Sequence, residues 1–167
     1  MLPRSFKNFN AYVNGAGWAG RIAEAELPDL KAKLEEFRGG GMDAPKKIDV
    51  GMEALSGKLI FAEYLPEIMS LAFLGDTEAT RVVLKGAQQR NAEPAQSIII
   101  EIGGSFDAVT MGKWKAGDLT TNEVEVSIGY YKLSIGGRRV WEIDIDNYVR
   151  FVGDVDVLGS VRDIIMG

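Results

Sequence analysis

The residues best suited to chemistry are the alternating carboxylates Glu142, Asp144 and Asp146, with Asp154 and Asp156 close behind. Such a row could bind calcium through oxygen or supply an acid and a base. The EF-hand spacing and its glycine are missing, however, and alternate acids on a strand are the ordinary make-up of a solvated face. The chain has no histidine and no cysteine. That removes thiol nucleophiles, imidazole bases, disulfides, and the sulfur and imidazole ligands of zinc, copper and non-haem iron. No G-x-S-x-G elbow is present to activate a serine. No catalytic residue, no metal and no cofactor are expected.

Two glycine patterns imitate nucleotide sites. Gly15-Ala16-Gly17-Trp18-Ala19-Gly20 has the spacing of a dinucleotide fingerprint. That motif needs a helix opening at its third glycine, whereas Arg21 to Glu26 alternates like a strand and Pro28 follows at once. Gly51 to Lys58 resembles a P-loop with one residue too many, and Leu59 stands where a magnesium-binding hydroxyl belongs. Both read as turns.

The elements around these residues are mostly strands. At 167 residues, with 46% hydrophobic and 26% charged residues, the chain is expected to form one domain over residues 1–167. Neither an export signal at Met1 to Asn8 nor a membrane-spanning run is expected. A net charge of −5 disfavours a nucleic-acid binder that works by neutralising phosphates. Residues 9–27 read as two short strands around the Asn14-Gly15 turn. Strands are also expected near 55–61, 81–88 and 97–102, with a bend at Gly103-Gly104 before the alternating run from Phe106 to Met111. Val124, Val126 and Ile128 share a face with Tyr130, and the apolar set then shifts to Tyr131, Leu133 and Ile135. This predicts a bulge at Gly129 to Tyr131 that lets one strand serve two sheets. Gly136-Gly137 closes the next hairpin. Leu65 to Leu74 is the best helix, with Pro66 in its first turn and Gly75 as its cap; residues 155–165 could form a second. The expected architecture is mainly β, a sandwich or barrel of roughly eight strands with one or two short helices.

One stretch does not fit a compact domain. From Lys33 to Ile60 apolar residues flank a centre, Arg38 to Lys47, that is too rich in glycine and charge to be core. Gly39, Gly40 and Gly41 allow positive φ, and Pro45 holds Ala44 extended. A long loop without secondary structure of its own is usually functional or disordered.

These residues carry a resemblance. Lys7-Asn8-Phe9-Asn10 with Val13-Asn14-Gly15, Leu27-Pro28, Glu36 to Pro45 with Ile48-Asp49 and Gly51-Met52-Glu53, Trp114 to Gly117, Tyr130 to Leu133, and Glu142-Ile143-Asp144 are similar in type and order to the major tail tube proteins of contractile-tailed, P2-like bacteriophages and of R-type phage-tail bacteriocins. The resemblance spans nearly the whole chain. Asp154 and the basic pair Lys46-Lys47 depart from its pattern.

The resemblance implies a β-sandwich or barrel-like tail-tube fold with a long protruding assembly loop, about residues 33–60. It implies hexameric rings stacked into a tube inside a contractile sheath, with the sheath, tape-measure, baseplate and terminator proteins as partners and DNA as transient cargo. No membrane binding is implied, and the expected location is a virion tail or phage-tail-like particle, assembled in the bacterial cytoplasm. The self-assembly residues would be Phe37, Met42 and Ile48 as apolar anchors, Arg38, Asp43, Lys46 and Lys47 as ion-pair members, and Gly39, Gly40, Gly41 and Pro45 as the backbone that docks. Glu123, Glu125, Glu142, Asp144 and Asp146 would form an acidic wall facing the lumen or the exterior. The isolated arm is expected to be disordered or alternately placed. A rival reading is a monomeric small-molecule-binding β-barrel with Trp18, Trp114 and Trp141 around its cavity.

Overall fold

A computed structural model of the chain describes residues 1–75 and 80–167. Among these it holds twelve strands and two short helices: β1 (Ser5–Val13), β2 (Ala16–Gly17), β3 (Ile22–Glu26), β4 (Ala32–Phe37), β5 (Lys46–Met52), β6 (Leu55–Phe61), α1 (Pro66–Met69), β7 (Thr80–Gln89), β8 (Gln96–Thr110), β9 (Asn122–Ile135), β10 (Arg138–Asp144), β11 (Val149–Val152), β12 (Val155–Asp156) and α2 (Gly159–Met166).

The centre is an antiparallel ribbon of two long strands, β8 and β9. On the free side of β8 lie β7, β1 and β2 in turn. The other edge of β9 forks. Residues 122–128 pair with β6, which pairs with β3, whereas residues 130–135 pair with β10, followed by β11 and β12. The fork falls at a bulge: Gly103 opposes Tyr130 and Gly104 opposes Ile128, so Gly129 has no opposite number. The extra residue bends the strand and resets the alternation. Val124, Val126 and Ile128 are buried before it and Tyr131 after it, which is the shift visible in the sequence. The bend also brings β8 and β9 very close. A Cβ on Gly104 would lie 2.1 Å from the Ser127 carbonyl oxygen, so the crossing admits glycine alone.

Folding this one sheet over itself makes the core. Phe61, Phe106, Ile68, Val82 and Val124 are its largest fully buried apolar side chains. The helix expected at 65–74 is shorter. It ends at Met69, with Ser70 as its C-cap, because Ala72 forms a parallel bridge with Phe106 and the Phe73 N–H donates to the Phe106 carbonyl at 3.0 Å instead of continuing the helix. Phe73 then takes a positive φ of 65° and its ring is exposed, so it leaves the apolar stripe to which its spacing assigned it.

The last segment also differs from expectation. Val155–Asp156 is a strand that pairs with β11, and the helix begins only at Gly159. Arg162 holds it to the body through Asp156 and the Tyr148 carbonyl, while Val161, Ile164 and Ile165 face outward. The expected apolar face of this helix is therefore not packed on its own chain.

Candidate assembly surface

The arm from 33 to 60 has secondary structure of its own, which corrects the expectation of a long loop without any. β4 and β5 pair with Leu34 opposite Asp49, Glu35 opposite Ile48, Glu36 opposite Lys47 and Phe37 opposite Lys46, and form a two-stranded sheet separate from the body. Lys46, Lys47 and Ile48 thus lie in a strand, and the loop proper is 38–45. Gly41, with φ +82°, makes its turn, and Met42 closes it. The Met42 carbonyl accepts from Arg38 Nε at 3.1 Å, and its sulfur accepts from the Gly39 N–H at 3.1 Å. These short-range bonds give the tip a defined shape without a partner.

Among the described residues the arm is tied down at its root. The Glu53 N–H donates to the Lys31 carbonyl at 2.9 Å, and Arg150 of β11 reaches Asp49 at 3.5 Å. Beyond that, its apolar side chains face water: Leu34 is 49% exposed, Phe37 55%, Ile48 46% and Val50 48%. A two-stranded hairpin with both faces wet is marginal by itself, and four half-exposed apolar residues on one projection mark a surface that other molecules cover. Sequence reasoning named Phe37 and Ile48 but missed Leu34, Val50 and the anchor Arg150. The alternation of Leu34 with Glu35 and of Ile48 with Asp49 was the available signal.

Of the five acids assigned to a wall, Glu123, Glu125, Glu142 and Asp144 alternate with the buried Val124, Val126 and Ile143 and so occupy the face opposite the core, but in two groups: Glu123 and Glu125 before the fork, opposite Ile60 and Lys58 of β6, and Glu142 and Asp144 after it, opposite Lys132 and Tyr130. Asp146 lies past the end of β10, in the following turn. The face is not purely acidic. Lys58 pairs with Glu125 at 3.6 Å, Lys132 with Glu101 at 3.9 Å and Arg139 with Glu142 at 2.8 Å. Among the described residues no group of three acids converges as a metal site requires. The Tyr130 hydroxyl donates to Glu142 at 3.1 Å. Partial burial first, and then the negative charge of Glu142 and Glu101, push the Tyr130 phenol up to about 12.

That shift has a sign. The protonated phenol is favoured in the folded state, so its contribution to stability is complete below the usual value of 10 and is lost as pH rises from 10 through about 12. Stability followed by urea denaturation should therefore fall across this window. Glu142→Gln, which removes one of the charges opposing phenolate, should make the fall shallower. An identical alkaline profile in the two proteins would contradict the assignment.

The three tryptophans do not gather round a cavity. Trp18 packs against the core, Trp114 is 81% exposed and bonded through Nε1 to the Tyr64 hydroxyl, and Trp141 is 38% exposed at the far end of the sheet. The rival ligand-barrel reading loses its lining.

An exposed hairpin arm and an outward apolar terminal helix are the geometry of a building block. A family model described as phage tail tube protein FII matches residues 3–165. The chain belongs to this family. It is 28% identical over 166 residues to the tail tube protein of Escherichia phage P2, covering 96% of both chains. It is 27% identical over 150 residues to the major tail tube protein of Serratia phage KSP20, covering 89% of this chain and 86% of the relative. Its fold is shared with solved chains of contractile injection systems at much lower identity. A chain of the PVC sheath–tube complex in the extended state matches with TM-score 0.59 and 12% identity, over 75% of this chain and 87% of that one. A chain of the anti-feeding prophage cap matches with TM-score 0.63 and 10% identity, over 80% and 92%. This family member is accordingly a structural protein of a phage tail tube, as the sequence resemblance implied.

Proposed function

We propose that copies of this chain close into hexameric rings that stack to form the inner tube, with residues 1–167 acting as one unit and the β4–β5 arm joining copies. The observation that carries this reading is the arm itself: a shaped projection, anchored at one end, whose apolar side chains are left half-exposed by their own subunit. A ring also disposes of the sheet edges at β12 and β2, which otherwise invite uncontrolled pairing. Phe37, Met42 and Ile48 serve as anchors, with Arg38, Asp43, Lys46 and Lys47 as charged contacts. The charged face with Glu123, Glu125, Glu142 and Asp144 is exposed to water in the assembled tube, on the lumen or the outside, where its acids would repel DNA passing through. The shared fold with chains from sheath–tube, terminator, cap and baseplate structures supports sheath and baseplate proteins as partners. The tape-measure protein would occupy the lumen. Catalysis has no part in this role.

The purified full-length protein, imaged by negative-stain electron microscopy over a range of concentration and salt, should give tubes or rings with sixfold averages. A strictly monomeric species under all conditions would overturn the reading, and rings of another order would overturn the hexamer.

A further inference from the structure

We infer that the tip of the arm docks into a two-part cleft at the root of the arm of a second copy of this chain. The inference rests on the assembly role proposed above and names the surface that receives the arm.

The first part is acidic. Where β3 runs into β4 and β5 runs into β6, a cleft of about 330 Å³ is lined by Glu26, Asp29, Glu53 and Glu125, four carboxylates, against Lys31 and Lys58. Lys58 pairs with Glu125 at 3.6 Å, whereas Glu26, Asp29 and Glu53 form no ion pair among the described residues. The second part is apolar. A groove of about 280 Å³ runs between the end of β3 and the sheet of β1, β7 and β8, lined by Phe6, Phe9, Leu27, Leu84 and Ile98. Leu27 lines both parts and is 51% exposed, as is Phe6 at 57%. An acidic cleft continuous with an apolar groove asks for a ligand that is cationic on one side and apolar on the other.

The arm tip has that composition. Over residues 37–48 it carries Arg38, Lys46 and Lys47 against the single carboxylate Asp43, interleaved with Phe37, Met42 and Ile48. None of the three cations has an ion-pair partner among the described residues. Charges left single on both surfaces are the complementarity that fixes register between proteins.

A second copy, and not the same chain, must supply the tip. Lys31 and Glu53 belong to the cleft and also join the arm to the body through the Glu53 N–H bond to the Lys31 carbonyl. The six residues of β4 then carry the tip roughly 20 Å away at about 3.3 Å per residue. Returning it would require unzipping β4 from β5. Tip and root are different surfaces, so every copy both gives and receives, and the contact propagates as a heterologous one.

The absence of cysteine from the sequence makes the test unambiguous. Met42→Cys and Leu27→Cys are placed in one chain, tubes are assembled and oxidised, and the products are separated on a denaturing gel. A ladder of covalently joined copies is expected. Tubes that form without any joined copies, or with a link closed inside single chains, overturn tip-to-root docking while leaving the tube itself intact; failure of the unmodified chain to assemble overturns both proposals. As an independent arm, Lys46→Glu with Lys47→Glu should cut tube yield by roughly tenfold or more, and adding Glu26→Lys with Glu53→Lys should restore it. All four side chains are exposed, so the subunits should stay folded. No recovery in the quadruple variant overturns the pairing.

Discussion

Replacing residues 39–45 with Asn-Gly, so that Arg38-Asn-Gly joins Phe37 of β4 to Lys46 of β5, should give a folded subunit that forms no tubes. The two halves of this expectation come from different physics. No residue from Arg38 to Pro45 is buried, and the hydrogen bonds of the tip stay within the tip. Surface changes of this kind move stability by about 0.5 kcal/mol or less, and shortening a loop lowers its closure entropy slightly. Thermal unfolding should therefore be nearly unchanged. Assembly should not survive, because the excision removes Met42, Asp43 and the three glycines and draws Arg38 back from whatever receives the tip. Sedimentation and electron microscopy of the variant provide the readout. Tubes of normal length and abundance would show that the arm is dispensable and would sink its assignment as the joining element.

Phe106→Ala should do the reverse, weakening the subunit at its centre while leaving every arm contact in place. Phe106 is 1% exposed, opposes Val126 across the central ribbon, and lies where α1 meets the sheet, with its carbonyl accepting from Phe73. Truncating a buried phenylalanine costs about 3–5 kcal/mol, the lost transfer energy of the ring plus the cavity left behind. A domain of this size holds only about 5–15 kcal/mol in all. The urea midpoint should drop steeply with little change in slope. A loss below about 1 kcal/mol would mean that the folded-over sheet closes on the vacancy, and would displace Phe106 from the centre of the core.

How much of this was visible in advance depends on how local the cause was. The shift of the apolar set across Gly129, the Asn14-Gly15 and Gly136-Gly137 turns, and the run Ile98 to Ile102 are short-range patterns, and each appears in the structure where the residues place it. The ten-residue helix at 65–74 failed because its stripe was real but the backbone of Ala72 and Phe73 had a better partner in Phe106, more than thirty residues away. β11 and β12 were missed because Val149 to Asp156 has little alternation. They are strands only because β10 presents an edge for them to pair with.

The stretch from Lys33 to Ile60 shows the same division. Its glycines, its charge and the order Arg38 to Pro45 were enough to mark an arm and to suggest the family, because those properties belong to the residues themselves. That the arm is a hairpin, that Lys46, Lys47 and Ile48 are strand residues, and that Asp49 is held by Arg150, 101 residues further on, is not written in any local window. The same holds for the cleft that joins Glu26 and Asp29 to Glu53 and Glu125. Residue types determined what the surfaces could attract; only the tertiary structure decided which surfaces exist, since pairing and burial depend on partners that the fold brings from elsewhere in the chain.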